Sequence, residues 1–279
     1  MRFKLHGALA LLAAAAFTAC GHLDPIASED LARGASSAST ISGSGTILPP
    51  AAHDIQAAID HPSRRRAVRD QDERRQAQYV LAFFGIEPGM TVLDMYSGGG
   101  YYTELLSYLV GADGRVVAHN NTPYSTFAKA EIAERYQDDR LTNVEQLIAE
   151  NNELKLSPDA FDAVLLILAY HDVYFVDEDI GWSEINRPEL LVQIKASMKP
   201  GAVLGVVDHI AAPGSPAETG GTLHRIDPQL IRRDITNAGF VFDGESFVLR
   251  NAADDPTKDV FAEEVRGQTD RAVLRFRKP

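Results

Sequence analysis

The stretch DMYSGGGYYTELL, residues 94–106, decides the fold, because it joins a β-strand to an α-helix through three consecutive glycines. The strand is the β-rich run MTVLDMY, and the helix keeps helical apolar spacing up to Gly111. Glycines permit a tight turn and let a ligand approach the backbone closely. The free N–H groups at the start of the helix favour a polar or anionic ligand group. The stretch therefore predicts a ligand-binding turn, although Tyr96 stands where a further glycine is expected.

Strand patterns and helical patterns alternate through most of the chain that follows. The later strand candidates are GRVVAHN, NVEQLIA, FDAVLLILAY, AVLGVVDH, FVFDGESFVLR and RAVLRFRKP. This alternation predicts an α/β fold, in which a mostly parallel, doubly wound sheet carries helices on both faces and ends in two antiparallel strands. Ligands of such sheets bind outside the carboxyl ends of the strands, near the switch point.

Four segments resemble class I S-adenosylmethionine-dependent methyltransferases in sequence and order. They are PGMTVLDMYSGGGYYTELL, GRVVAHN, FDAVLLILAYHD and MKPGAVLGVVDH, and the resemblance covers residues 76–279. More narrowly, FFGIEPGM, YSGGGYYTELL and the closing RFRKP are similar to a group of exported bacterial proteins described as predicted methyltransferases. The resemblance implies a Rossmann-like seven-stranded sheet with an antiparallel C-terminal hairpin. It also implies S-adenosyl-L-methionine as cofactor and a small-molecule methyl acceptor.

The family loop reads acid-x-Gly-x-Gly-x-Gly, and Tyr96 replaces its first glycine. The resemblance implies that seven positions contact the cofactor. These positions are Asp94, Tyr96, Gly98, Gly100, Asn120, Glu150 and Asn151. Asn120 stands where the family has an acidic residue that binds the ribose hydroxyls. Three interpretations of Tyr96 stay open. Its ring closes over the methionine end of the ligand and its hydroxyl contacts the ligand or orients His171, or the ring blocks the site, or the ring only packs in the fold.

Histidines and aspartates follow the fourth and fifth strand candidates, and a histidine can serve as a base when an aspartate orients it. The expected catalytic residues are His171, Asp208 and His209. His224 is expected near the same cleft without an assigned role. Two histidines and one carboxylate could alternatively bind iron or zinc, but the spacing supports this weakly, and no metal is predicted.

Two further segments could border the cleft. The segment RRRAVRDQDERR, residues 64–75, is either a solvated helix face or part of the cleft mouth. The segment DVYFVDEDIGW, which ends at Trp182, could form a substrate lid.

The composition limits the function further. The chain has 279 residues with 45% hydrophobic and 24% charged residues, which is typical of a globular protein. Its net charge of −12 argues against nucleic acid as a partner. Cys20 is the only cysteine, so no intramolecular disulfide can form.

The N-terminus has the pattern of an export signal. A short basic start precedes an apolar run that is too short to span a bilayer, and FTAC resembles the end of a bacterial lipoprotein signal. We expect a lipoprotein signal peptide at 1–19, a flexible tether at 20–52 and a methyltransferase-like domain at 53–279. A lipid on Cys20 would then hold the protein on the periplasmic side of the cell envelope; the alternative is an ordinary cleaved signal with a chance cysteine. The alternative function is a non-catalytic ligand-binding protein on a methyltransferase fold.

Overall fold

The computed structural model describes residues 50–279, and a seven-stranded sheet forms the centre of this region. The strands are β1 (Thr91–Met95), β2 (Arg115–Asn120), β3 (Val144–Ile148), β4 (Phe161–Ile167), β5 (Met198–His209), β6 (Val241–Ser246) and β7 (Arg271–Arg277). Their order in the sheet is β3-β2-β1-β4-β5-β7-β6. Strands β1 to β5 are parallel, and β7 runs antiparallel between β5 and β6. The predicted sheet and its antiparallel C-terminal hairpin are therefore confirmed.

Ten α-helices connect these strands in the described region. They are α1 (Pro50–Ile59), α2 (Arg66–Arg69), α3 (Asp72–Arg75), α4 (Ala77–Phe84), α5 (Tyr101–Val110), α6 (Thr122–Phe127), α7 (Lys129–Arg135), α8 (Arg187–Ser197), α9 (Thr219–Leu223) and α10 (Pro228–Asn237). Helix α10 begins as its sequence indicates, because the Asp227 carboxylate accepts a hydrogen bond from the Gln229 N–H and Pro228 follows it. Two helices, α6 and α7, follow each other directly, and Ala128 separates them.

Apolar residues cover both faces of the sheet, as a doubly wound fold requires. Leu93 and Met95 of β1 belong to one core cluster, which includes residues of α8 and α10. Val92 of the same strand belongs to a second cluster, which includes residues of α1, α4 and α5. Strand β4 contributes to both clusters, which confirms that it is buried on both faces.

The topology places the switch point of the sheet at β1. The chain passes from β1 to β2 on one side, and β4 lies on the other side. The residues that follow β1, β4 and β5 therefore meet at one edge of the sheet, where ligands of this fold class bind.

Helix α1 begins at Pro50 rather than at the expected domain start, His53. The expected signal peptide, Cys20 and nearly all of the tether lie outside the described residues. Between residues 50 and 279, no helix is long and apolar enough to span a membrane.

Candidate functional site

The glycine loop keeps a left-handed backbone at Tyr96. The φ angle of Tyr96 is 55°, and those of Gly98 and Gly100 are 55° and 76°. A side chain in this conformation costs about 1–2 kcal/mol relative to glycine. The backbone therefore takes a glycine-like conformation at Tyr96, the position where the family pattern has glycine.

Asn120, at the end of β2, holds this loop through both atoms of its amide. Its Oδ1 accepts a hydrogen bond from the Gly98 N–H at 2.9 Å, and its Nδ2 donates one to the Gly98 carbonyl at 3.1 Å. An ionised carboxylate could accept the first bond but could not donate the second. This pairing gives a physical reason for asparagine where the resemblance leads one to expect an acid.

Asp94, the acidic residue before the loop, lies under the loop rather than on its surface. Its side chain is 2% exposed, and its carboxylate accepts a hydrogen bond of 2.6 Å from the Thr103 hydroxyl of α5. Burial raises the pKa of Asp94 to about 6, although the Thr103 hydrogen bond opposes this shift. Asp94 thus ties the end of β1 to the first turns of α5.

The side chain of Tyr96 lies in a buried aromatic cluster, which we define as Tyr96, His119, Tyr124, Phe175 and Trp182. The Tyr96 ring centroid is 5.4 Å from that of His119, 5.5 Å from that of Tyr124 and 6.1 Å from that of Trp182. Phe175 packs against Trp182 with a centroid distance of 5.6 Å. The Tyr124 ring lies 4.0 Å from the position that a Cβ atom on Gly98 would take, so it covers the loop.

The hydroxyl of Tyr96 donates to Asn151 Oδ1 at 2.8 Å. The expectation that it could orient His171 is therefore wrong in this structure. Tyr124 has that connection instead, because its hydroxyl donates to Asp172, the neighbour of His171, at 2.6 Å. Glu150, the other residue expected near the adenine, accepts a hydrogen bond from the Thr122 N–H at 3.1 Å.

The segment between β4 and α8 brings Trp182 over the aromatic cluster. A pair of backbone hydrogen bonds joins Asp177 and Trp182, and the Trp182 side chain is only 3% exposed. The segment predicted as a lid thus covers the neighbourhood of the glycine loop.

A histidine cluster, which we define as His171, Asp172, Asp208, His209 and His224, lies after β4 and β5. His171 Nδ1 is 2.8 Å from Asp208 Oδ1, and the His171 backbone N–H donates to Asp208 Oδ2 at 2.8 Å. His171 Nε2 is 3.3 Å from Asp172 Oδ1. The rings of His209 and His224 lie with their centroids 6.1 Å and 5.4 Å from that of His171. The expected catalytic residues His171, Asp208 and His209 are therefore adjacent.

The three histidines of this cluster differ in pKa. Burial alone would lower the pKa of His171, but the carboxylates of Asp172 and Asp208 raise it to about 9. Burial and the nearby His171 imidazole lower the pKa of His209 and, to a smaller extent, that of His224. The two carboxylates thus favour the protonated form of His171, whereas burial favours the neutral forms of His209 and His224.

A cavity of about 530 Å³ lies one residue away from His209, which does not itself line the cavity. Thr269 lines it, and the Thr269 hydroxyl lies 2.6 Å from His209 Nδ1. Arg271 also lines it, is 5% exposed and makes no ion pair with any residue of the described region. Asp70, Glu73 and Arg74 form part of the opposite wall. Part of the charged segment 64–75 therefore borders this cavity, which no residue of the glycine loop or of the histidine cluster lines.

Buried polar atoms without hydrogen-bond partners surround the glycine loop. Within residues 50–279 they include Ser97 Oγ, His119 Nδ1, Asn121 Nδ2 and Trp182 Nε1. Burying such an atom without a hydrogen-bond partner lowers the free energy of unfolding by about 1–3 kcal/mol. No sequence pattern indicates these groups, because only the folded chain shows which polar atoms are buried and unpaired.

Comparisons with known proteins agree with this fold. The family model of protein-L-isoaspartate(D-aspartate) O-methyltransferase matches residues 74–150, which include the glycine loop and Asn120. In a comparison with curated proteins, no sequence matches the chain.

Solved structures of methyltransferases resemble the chain over most of its length. A SAM-dependent methyltransferase from Aquifex aeolicus is 24% identical with a TM-score of 0.52, and the match covers 81% of this chain and 97% of that one. Phosphoethanolamine N-methyltransferase 2 from Haemonchus contortus, solved with S-adenosyl-L-methionine, is 14% identical with a TM-score of 0.52 and coverages of 73% and 52%. The chain thus has the fold of the class I S-adenosylmethionine-dependent methyltransferases.

Proposed function

We propose that the protein is a methyltransferase that uses S-adenosylmethionine and acts on a small-molecule acceptor. The observation that carries this proposal is the set of unpaired polar atoms around the glycine loop at the switch point of the sheet. S-adenosylmethionine has an ammonium group, a carboxylate, ribose hydroxyls and an adenine, which can supply the missing hydrogen bonds. When bound, it supplies an electrophilic methyl group on sulfur.

The proposed cofactor residues then have distinct roles. Gly98 and Gly100 let the ligand approach the backbone closely, and the start of α5 faces its polar end. Asn120 and Asp94 position the loop, through Gly98 and Thr103 respectively. Tyr96, Glu150 and Asn151 remain the proposed contacts on the side of the aromatic cluster. Because Tyr124 covers Gly98, a ligand that approaches from that side must displace its ring.

We infer that the acceptor enters through the cavity beside His209. Its volume of about 530 Å³ lies within the range of roughly 300–1,000 Å³ that is usual for small-ligand sites. The Asp208 carboxylate accepts a hydrogen bond from the His171 backbone N–H, contacts His171 Nδ1, and accepts a hydrogen bond of 2.7 Å from the His209 backbone N–H. The two proposed catalytic histidines therefore share this carboxylate. Of the proposed catalytic residues, His209 is the imidazole whose neutral form burial favours, and it could receive a proton from the acceptor.

Calorimetric titration of the full chain with S-adenosylmethionine tests the cofactor assignment. Gly98→Val adds a side chain at a φ of +55°, beneath Tyr124, and is expected to abolish binding. Gly201→Val is the matched control, because Gly201 also has a positive φ but has open space around it and lies near the amino end of β5. No binding by the unmodified chain, or equal loss in both variants, would contradict the assignment. Binding without transfer of a labelled methyl group to any envelope component would favour the ligand-binding alternative.

We also propose that the protein is exported and anchored through a lipid on Cys20. The basic start, the apolar run and the FTAC sequence support this proposal. Mass spectrometry of the mature N-terminus tests it, with Cys20→Ser as the variant that cannot be lipidated. A free N-terminus downstream of Cys20 in the unmodified protein would exclude the anchor.

A further inference from the structure

We propose that His171, Asp172 and His224 form a binding site for a divalent transition-metal ion such as Zn²⁺ or Fe²⁺. One ligand atom from each residue lies within 4.8 Å of the other two. His171 Nε2 is 3.3 Å from Asp172 Oδ1, and His224 Nδ1 is 3.9 Å from the same oxygen. Metal–ligand bonds of about 2.1 Å in a tetrahedral site place neighbouring ligand atoms about 3.4 Å apart. The three atoms thus need only small movements to enclose an ion.

The ligand types also suit such an ion. Two imidazoles and one carboxylate are a common donor set for zinc and for non-haem iron, whereas Mg²⁺ and Ca²⁺ favour oxygen ligands. The two histidines come from separate elements: His171 follows β4, and His224 ends α9.

Both buried ligands are oriented by groups that do not belong to the site. Asp208 Oδ1 lies 2.8 Å from His171 Nδ1, which directs the opposite ring nitrogen, Nε2, towards Asp172. Tyr124 donates to Asp172 Oδ2, which leaves Oδ1 facing the histidines. Metal sites in proteins commonly have this second layer of hydrogen bonds, because it fixes the tautomer and the direction of each ligand.

The backbone around His224 is arranged to bring its ring to the other two residues. His224 has a φ of 53°, a conformation that side chains rarely adopt without compensation. Helix α9 approaches the His171 backbone so closely that a Cβ atom on Gly220 would lie 2.5 Å from the His171 carbonyl oxygen.

The side chain of His224 remains 27% exposed, so an ion can enter from solvent and keep an open coordination position. If the proposed methyl transfer is correct, an acceptor hydroxyl at that position would lose its proton more easily, because a bound cation lowers the pKa of its oxygen ligands. This last step rests on the proposed function, whereas the metal site itself does not.

Titration of chelator-treated full-length protein with Co²⁺, followed by visible absorption and calorimetry, tests the site. We expect one ion per chain, with absorption bands typical of nitrogen and oxygen ligands. His224→Asn removes a ligand but tolerates the left-handed backbone, and we expect its affinity to fall by about 100-fold or more. Tyr124→Phe removes only the hydroxyl that holds Asp172, and we expect a loss of about 10–100-fold.

His53→Ala is the matched control, because it removes an exposed imidazole from α1 and should leave Co²⁺ affinity unchanged. Thermal unfolding of the same preparations shows whether the variants are folded. Because neither Co²⁺ binding nor unfolding requires S-adenosylmethionine, the outcome is independent of the proposed function. Absence of Co²⁺ binding by the unmodified protein, or the same affinity in His224→Asn, would overturn the metal site whatever the cofactor result.

Discussion

Asn120 holds the peptide groups on both sides of Gly98, because its amide accepts from the Gly98 N–H and donates to the Gly98 carbonyl. The two bonds join the carboxyl end of β2 to the turn after β1. Asn120 occupies the position where the resemblance leads one to expect a carboxylate. The side chain thereby holds the loop in its left-handed conformation, which includes the unfavourable φ of Tyr96.

Asn120→Asp is expected to weaken this loop. An ionised carboxylate keeps the bond from the Gly98 N–H but leaves the Gly98 carbonyl without its donor, so the free energy of unfolding should fall by about 1–3 kcal/mol. S-adenosylmethionine affinity should fall as well. Denaturant unfolding and calorimetric titration measure the two effects. Asn237→Asp adds the same charge at an exposed end of α10 and should change stability by less than about 0.5 kcal/mol. Unchanged stability in Asn120→Asp would contradict the proposed role of the amide.

Substitution of Tyr96 tests two opposing contributions to stability, the packing of its ring and the strain of its left-handed backbone. Tyr96→Gly relieves about 1–2 kcal/mol of left-handed strain but removes a buried ring, which costs about 3–5 kcal/mol. We therefore expect the free energy of unfolding to fall by roughly 1–4 kcal/mol. Because the ring would also close over the cofactor, we expect Tyr96→Gly to bind S-adenosylmethionine more weakly.

Tyr96→Phe is the companion variant, because it keeps the ring and removes only the hydrogen bond to Asn151. We expect near-normal cofactor affinity and a smaller loss of stability, about 1–2 kcal/mol. Thermal unfolding and calorimetry of both proteins distinguish the interpretations. Tighter binding by Tyr96→Gly would mean that the tyrosine ring blocks a site that the glycine restores.

Local sequence patterns were sufficient to predict the strands, α5 and the position of the loop. The alternation of apolar runs with helical spacing predicts the sheet, and the three glycines at residues 98–100 mark the turn. These features depend on neighbouring residues, so their physical causes can be read from a single stretch of chain.

The contacts within the site depend instead on residues that are distant in sequence. Tyr96 donates to Asn151, 55 residues further along the chain, and no spacing rule connects the two. His224 reaches His171 only because Gly220 lets α9 approach the His171 backbone. The raised pKa of His171 likewise results from two carboxylates, those of Asp172 and Asp208, that the fold brings to its ring. Sequence patterns therefore predicted the sheet edge at which the candidate site lies, but not the hydrogen bonds within it.

The buried carboxyl group of Asp94 should make the folded chain less stable as the pH rises. An ion-paired carboxylate has the opposite effect. Its folded-state pKa is raised from 3.8 to about 6, so between these values the folded chain retains a proton that the unfolded chain releases. The free energy of unfolding should therefore fall as the pH rises through this window, by about 3 kcal/mol in total from this group. Asp94→Asn removes the effect, because asparagine does not titrate but can still accept the Thr103 hydrogen bond.

The measurement is the difference in unfolding free energy between the unmodified protein and Asp94→Asn at several pH values between about 3 and about 7, a range that extends about one unit beyond both pKa values. Other titrating groups cancel in this difference. Asp113→Asn, at an exposed turn, should show a difference that does not depend on pH. A constant difference for Asp94→Asn as well would show that the carboxyl group is not desolvated.

Trp182 is the only tryptophan of the chain, and it packs against Tyr96 and Tyr124 beside the glycine loop. Its indole N–H is buried without a hydrogen-bond acceptor in the described region, so a ligand that supplies one or displaces the neighbouring rings must change its surroundings. The tryptophan emission should therefore shift during titration with S-adenosylmethionine and saturate together with the calorimetric signal. The shift should be lost in Gly98→Val and retained in Gly201→Val. If the ligand binds by calorimetry while the emission stays constant in the unmodified protein, it binds away from this segment and the assignment of the glycine loop is wrong.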